Sequence, residues 1–583
     1  MRELTIGERL ARAADSAGGV RFLDREERVE TLGYAELHRR ALRVAGALAD
    51  LGLQPGDRAA IILPTSPLFY DAFFGALLAG AIPVPLYPPV RLGRLDEFHA
   101  RTAAMLAACG ARIVLSDRRV RRLLGQATLR ARPPLGCVAL EGLALREAEP
   151  VPRSPDDIAF IQFSSGTTRD PKPVALSHRQ ILANVRAILG SITRAHPLAA
   201  GESHVGVSWL PLYHDMGLVG AVLSAVDHPG DLVLIPPEQF VARPAIWLRA
   251  ISRHRGTISP APNFAYALCA DRIRDEELEG VDLSSWRVAL NGAEPVTPEV
   301  LRRFVDRFRP YGLREETLTP VYGLAEATLA VTFSDVGGAF RQRRFDRDAL
   351  VNADTARPCD HGLPLVSVGR PLPGFALRIC DAHGTALEDG RVGRVHVRGP
   401  SIMDGYFGMC EATRECLAEG WLDTGDTGFV YEEELYLFGR AKDLIVLRGR
   451  NHAPQEIEQA ADGVAGVRTG CSAAIGVVRE GADGEALVLL IERSGAGDHS
   501  DDATLAELVG RRVSAETGLR CERVLVLEPG TLPRTSSGKI RRGEARRRYL
   551  ADALHPPAKV GPVGLASAML RSGVAFALAR RAD

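Results

Sequence analysis

Short apolar strands alternating with amphipathic helical stretches constrain this chain more than any other feature, because that alternation builds parallel sheets covered by helices. Leu37, Ala41, Val44, Ala45 and Leu48 share one face of a helix, the run Arg58 to Pro64 reads as a buried strand, and Ser66 to Ala81 reads as the next helix. The pattern recurs. Further strands are expected at Ala111 to Leu115, Ile158 to Phe163, His204 to Trp209, Leu232 to Ile235, Thr257 to Pro260 and Arg287 to Leu290. The fold class is therefore α/β, with a large, mostly parallel, helix-covered sheet in the N-terminal part.

After Val368 the texture changes to alternating strands and tight turns, at Ala376 to Cys380, Gly393 to Arg398 and Leu435 to Phe438, which reads as a smaller β-rich subdomain. A boundary is expected near Arg440 to Asp443. Beyond it, Glu456 to Asp462, Ala473 to Val477, Ala486 to Ile491, Ala503 to Glu516 and Arg523 to Leu527 form an α+β unit of roughly 110 residues, the size of one small domain. The tail opens at His555 with Pro556-Pro557 and then carries Leu565, Met569, Ser572 and Phe576 at near-helical spacing.

Composition excludes several classes. With 46% hydrophobic and 25% charged residues the chain is not disordered, and 72 basic against 72 acidic residues leave no global field for nucleic acid. The nine cysteines contain no C-x-x-C pair and are expected as buried, reduced thiols. Arg2, Glu3, Glu8, Arg9 and Arg12 interrupt the N-terminus, unlike a signal peptide. No stretch approaches ~20 consecutive apolar residues. A cytoplasmic, non-spanning protein is the expectation.

Residues 160 to 178 carry the first chemistry: an apolar strand, a loop of Ser164, Ser165, Gly166, Thr167 and Thr168, then Pro171 and Lys172. Glycine lets a phosphate approach the backbone, amides and hydroxyls donate hydrogen bonds, and lysine offsets charge. The Walker spacing is absent. Alone, such a cluster is as often only a loop.

The loop at 164 to 172, Tyr322-Gly-Leu-Ala-Glu326, Thr424-Gly-Asp426, Gly439-Arg440-Ala-Lys442-Asp443 and Pro533-Arg-Thr-Ser-Ser-Gly-Lys539 together resemble, in their order, the adenylate-forming superfamily of acyl-CoA synthetases, luciferase-like enzymes and peptide-synthetase adenylation domains. The resemblance implies ATP and Mg²⁺. Ser164 to Thr168 and Lys172 would hold the nucleotide phosphates. Tyr322, beside Gly323, would stack on adenine, with Asn291, Gly292 and Ala293 on the other side. Glu326 and Thr167 would hold Mg²⁺. Asp426 would accept from the ribose hydroxyls, and Arg440 would add a ribose or phosphate contact. Lys539 would stabilise charge as the acyl carboxylate displaces pyrophosphate. Lys442 would be the hinge of a mobile small domain.

Ser208 to Leu218, Pro262-Asn-Phe-Ala-Tyr266 and Asp282-Leu-Ser-Ser-Trp-Arg-Val288 resemble the fatty acyl-AMP ligase branch, as do the 42 residues between Glu326 and Gly369, which read as that branch's insertion. In that branch the insertion is thought to limit the domain movement CoA requires. The resemblance implies activation of a medium- or long-chain fatty acid and transfer to the phosphopantetheine of an acyl carrier protein, or of a carrier domain of a polyketide or peptide synthase. An acyl-CoA ligase and a catalytically silent relative are the alternatives. His214 and Asp215 are expected either to orient substrate or to bond to nearby backbone. Gly206, Gly217, Gly220, Ala221 and Ala225 either leave room for an acyl chain or mark close packing. Arg169 and Pro173 stand where the family more often has glycine, which bears on ATP binding. The implied division is 1–441, with the insertion at about 333–367, then 442–554, then a tail, 555–583. The tail is expected to fold back onto the enzyme, with interfacial membrane contact and docking on a carrier protein as weaker readings.

Overall fold

Residues 3–89, 92–164, 171–199, 201–447, 450–478, 485–494, 501–535, 538–558 and 560–579 are described in a computed structural model. The expected parallel architecture is present, but as two sheets rather than one. The larger has nine strands, in the order Arg370–Pro371, Ala330–Phe333, Leu318–Gly323, Val288–Asn291, Ile258–Ala261, Gly206–Ser208, Leu232–Leu234, Gly19–Leu23 and Val29–Gly33. Its strands from Leu318–Gly323 to Gly19–Leu23 are parallel, and both edges are antiparallel. The smaller sheet, Ile82–Leu86, Arg58–Ile62, Ala111–Ser116 and Cys137–Ala139, is parallel throughout.

The smaller sheet is buried on both faces, which is why its strands read as unbroken apolar runs. Ile61, Ile113 and Leu115 enter the central core with Phe73, Phe74 and Phe160. Ala60, Ile62 and Val114 enter a second core with Phe98, Leu106 and Leu124. Beside the larger sheet, Trp247, Tyr266 and Phe304 from three helices form an edge-packed aromatic cluster with Trp286.

Ile158–Phe163 leaves this scheme. It pairs antiparallel with Pro173–Ser177, which pairs in turn with Gly405–Tyr406. Pro173 begins its strand, where its missing N–H breaks no interior ladder bond. Ser177 then caps helix His178–Ala195 in a capping box with Gln180, the amide-to-hydroxyl bond being 3.2 Å and the reciprocal one 2.8 Å.

The β-rich subdomain is antiparallel, Ala376–Cys380, Gly393–Arg398, Trp421–Tyr431 and Glu434–Arg440. The stretch 333–367 packs on it: Gln342–Phe345 pairs with Leu363–Val366, and Phe345 is buried among Phe429, Tyr431 and Tyr436. A separate C-terminal domain follows, built on the sheet Val467–Val478, Glu485–Arg493 and Arg523–Leu527. Its strand alternation separates Leu487, Leu489 and Ile491, facing Ile457 and Val509, from Val488 and Leu490, facing Leu532 and Ala545.

All nine cysteines are unpaired, but Cys359 and Cys410 are exposed, so the expectation of uniformly buried thiols needs correcting. The tail folds back onto the enzyme, as expected. Pro562–Ala579 is an unbroken helix of mean hydropathy 1.4, long and apolar enough by length and composition to cross a bilayer. One of its faces packs on the enzyme, through Ala568, Ser572 and Ala575.

Candidate active site

Antiparallel pairing of Gly405–Tyr406 with Pro173–Ser177 sets Tyr406 beside the end of the 164 to 172 loop. The Lys172 ammonium lies 4.5 Å from the centre of the Tyr406 ring, and the Tyr406 hydroxyl donates to Glu326 Oε1 at 2.9 Å. Ser164 and Lys172 close the loop's base through a 2.9 Å backbone bond and a 3.2 Å bond from the Lys172 amide to Ser164 Oγ. Ser165, Gly166, Thr167, Thr168 and Arg169 lie outside the described residues.

Glu326 sits on a constrained turn. Thr328, two residues on, has φ +73°, a conformation that costs a β-branched residue energy and must be held by its surroundings. The fully buried Asn184 supplies the hold. Its amide nitrogen donates to Ala330 O at 2.8 Å and Ser401 Oγ at 2.9 Å, and its oxygen accepts from Ala330 N at 3.1 Å. Thr328 Oγ1 donates to Ser401 O at 2.8 Å, and the amide of Met403 to Glu326 O at 2.8 Å. Burial raises the Glu326 carboxyl pKa, opposed by the Tyr406 bond.

Tyr322 ends a parallel strand and Asp426 lies within the β-rich subdomain, yet the Tyr322 hydroxyl donates to Asp426 Oδ2 at 2.6 Å. Arg440, across the strand pair from Asp426, donates to Oδ1 at 3.1 Å. Asp426 raises the Arg440 pKa, while burial and then Asp426 push the Tyr322 phenol well above its ordinary value. Gly323 leaves no room for a side chain, since a Cβ there would fall 1.7 Å from Leu329 O. At Gly292 the Val321 carbonyl would be 2.8 Å from a Cβ, and Ala293 has φ +70°. Buried Asn291 donates to Asn263 Oδ1 at 3.3 Å, leaving its own side-chain oxygen unpaired.

His214 Nδ1 stands 2.6 Å from Asp215 Oδ1, which also accepts from Met216 N at 2.8 Å. The backbone reading holds for Asp215, whose carboxylate binds the Met216 amide and also grips the imidazole. Burial works to raise the Asp215 pKa, but His214 and then Lys539 hold it below the usual range. A π-helical turn, Leu218–Leu223, follows. Gly217 serves close packing, its Cβ position being 2.2 Å from Pro211 O.

Lys539 comes from the C-terminal domain, on a loop closed by Thr535 N to Lys539 O at 2.8 Å and Lys539 N to Thr535 Oγ1 at 3.0 Å. Burial, then Arg440, hold its ammonium below the ordinary lysine pKa, while Asp215, Glu294 and Asp426 act in the opposite sense. The loop thus brings Lys539 into the charged cluster. Lys442 is exposed on the turn between Glu434–Arg440 and Ile445–Leu447.

Two residues of the cluster escaped the sequence reading. Tyr406 lies on a two-residue strand with no motif of its own. Glu294, whose Oε1 accepts from Phe264 N at 2.5 Å, was visible only as the end of Asn291-Gly-Ala-Glu294.

A helix-covered parallel fold whose C-terminal lysine loop meets a Tyr–Asp–Arg cluster defines an adenylate-forming enzyme. The chain belongs to the AMP-binding enzyme family, whose model matches residues 10–407. It is 34% identical to long-chain-fatty-acid–AMP ligase FadD23 of Mycobacterium tuberculosis, over 90% of this chain and 92% of that protein. It is 35% identical to a Caulobacter vibrioides protein whose name gives it as an acyl-CoA synthetase, over 94% of this chain and 95% of that one. A solved structure from work on the fatty acyl-adenylate ligases of E. coli and L. pneumophila superposes with TM-score 0.88 at 37% identity, covering 94% of this chain and 99% of that one.

Proposed function

We propose that this chain condenses a medium- or long-chain fatty acid with ATP and passes the acyl group to a carrier protein. The carboxylate attacks the α-phosphorus, the acyl-phosphate bond forms, and the α–β anhydride bond breaks to release pyrophosphate. A phosphopantetheine thiol then attacks the acyl carbon and AMP leaves. The observation that carries this reading is the convergence of Lys539 with Asp215, Glu294, Asp426 and Arg440, drawn from two domains.

Lys539 offsets charge between the two approaching anions. Tyr322 offers its ring face to adenine while its hydroxyl fixes Asp426, which accepts from the ribose. Lys172 and Ser164, with residues 165–168, serve the phosphates, and Asn291, Gly292, Ala293 and Gly323 wall the base. His214, paired with Asp215, orients the acid. Mg²⁺ is part of the proposal. Glu326 fits a hard cation, since it is a buried carboxylate whose side-chain partner at Oε1 is the neutral Tyr406 hydroxyl rather than a cation; bound there, a cation would neutralise phosphate charge. Lys442 is the hinge, dividing a domain of 1–441 from one of 442–554.

A carrier rather than CoA is favoured by the insertion, which grips both domains. Arg347 on helix Arg347–Asn352 forms an ion pair with Glu456 and donates to Glu516 O at 2.9 Å. The CoA-ligase reading is supported by the name of the C. vibrioides relative. The test is fatty-acid-dependent exchange of pyrophosphate into ATP, which should occur in the parent and fall by roughly a hundredfold or more in Lys539→Ala, as for loss of one electrostatic stabiliser. Unchanged exchange in that variant would refute the assignment of Lys539.

A further inference from the structure

We propose that the C-terminal helix Pro562–Ala579 and the arginine-rich segment it rests on form a docking surface for an anionic lipid bilayer. The inference is independent of the acid the enzyme activates. Ala568, Ser572 and Ala575 are buried, Ser572 Oγ accepts from Gly125 N at 2.8 Å, and a Cβ at Gly125 would fall 2.1 Å from Ser572 O. The Arg121 guanidinium lies 5.1 Å from the centre of the Phe576 ring. One face of the helix is thereby fixed.

The opposite face is apolar and bare. Val563, Leu570, Val574 and Leu578 are 84%, 73%, 60% and 51% exposed, and Ala566 and Ala577 lie between them. At about 100° per residue all six fall within an arc of roughly 120°, an apolar stripe into which only Ser567 intrudes. Such a stripe calls for a covering partner.

Charge identifies the partner. The chain as a whole is neutral, but between Arg118 and Arg132 stand six arginines and no acidic residue. Arg118, Arg119, Arg122, Arg130 and Arg132 are exposed on or beside the helices Arg118–Arg121 and Gly125–Ala131. Pro562–Ala579 adds Arg571 and contains no acid. Gln126 Nε2, within the arginine-rich segment, donates to Arg571 O at 3.4 Å, which sets Arg571 beside that segment. The nearby acids are Asp96, acting on His99, Asp117, which caps its own helix through Val120 N, and Glu141, which accepts from Arg118 N. An apolar stripe on a helix that rests on an arginine-rich, acid-free segment matches acyl chains beneath anionic headgroups. A second copy of the chain would set one arginine cluster against another.

Flotation of the full chain with vesicles of phosphatidylcholine alone, or with about one-third phosphatidylglycerol, tests this. The parent should float with the anionic vesicles only and be released by high salt. Leu570→Glu with Val574→Glu should lower partitioning at least about tenfold, and Arg119→Glu or Arg130→Glu by roughly fivefold or more for each lost cation. Unchanged thermal unfolding of these exposed-site variants shows that they are folded. The proposal is overturned if the parent fails to float at low salt or the double variant floats equally well. It is also overturned if binding resists carbonate extraction, which denotes a spanning helix, or if the double variant dissolves a dimer seen without lipid.

Discussion

Removing the Arg347 side chain tests how the insertion restrains the C-terminal domain. The guanidinium is 31% exposed and its partner Glu456 11% exposed, so the ion pair is sheltered and worth about 1 kcal/mol. The bond to Glu516 O, at 2.9 Å, adds about 1 kcal/mol more. Together these bias domain opening by about 2 kcal/mol, roughly thirtyfold in equilibrium. Burial already raises the Glu456 carboxyl against the pull of Arg347, and Arg347→Ala should raise it further. Hydrogen–deuterium exchange at Ile445–Leu447, just past the proposed hinge, should therefore accelerate by up to roughly thirtyfold in Arg347→Ala. Acyl-CoA should also begin to appear when CoA is supplied. Exchange equal to that of the parent would refute the tether.

Other substitutions probe the site and its supports. Asp426→Asn can no longer offer a charged acceptor to both Tyr322 and Arg440, and the KM for ATP should rise by roughly tenfold to a hundredfold in steady-state assays; an unchanged KM would remove Asp426 from nucleotide binding. Asn184→Ala strands Ala330 N, Ala330 O and Ser401 in a buried turn, so denaturant unfolding should show a loss of roughly 2–4 kcal/mol, with adenylation reduced through Glu326. Buried His178 accepts from Ile6 N at 3.2 Å, and burial lowers its pKa to about 4. A folded-state pKa below the unfolded value of about 6.5 means that the unfolded chain takes up the proton first. Stability is fully present above pH about 6.5 and is lost as pH falls towards about 4, by about 2 kcal/mol between pH 7.5 and 5. Thermal unfolding of His178→Asn should lack that component of the pH slope.

The sequence made the parallel strands legible because strands buried on both faces are apolar throughout, as at Arg58–Ile62 and Ala111–Ser116. It could not divide them between two sheets, since an apolar run such as Ile158–Phe163 carries no record of its partner, and this one pairs antiparallel. The apolar run Ala473 to Val477 is shorter than the strand it belongs to. The strand is Val467–Val478, with a register shift where Gly470 takes φ +67° and breaks the alternation. The motif residues Tyr322, Asp426, Arg440 and Lys539 could be named before their geometry was known because each lies in a recognisable segment. Tyr406 could not, since its place between Lys172 and Glu326 follows from a two-residue strand pairing far along the chain. The tail's apolar spacing was legible. That its opposite faces are separately docked and bare depends on Gly125 meeting Ser572, which no local pattern records.

The most direct test of the central claim is mass spectrometry of products from the purified chain given ATP, Mg²⁺ and fatty acids of several lengths, with CoA or a phosphopantetheinylated carrier protein as acceptor. Acyl-AMP formed in both mixtures, with transfer to the carrier alone, is the predicted result. Efficient acyl-CoA formation by the parent would contradict the restraint assigned to Arg347, and absence of any acyl-AMP would contradict the adenylation chemistry itself.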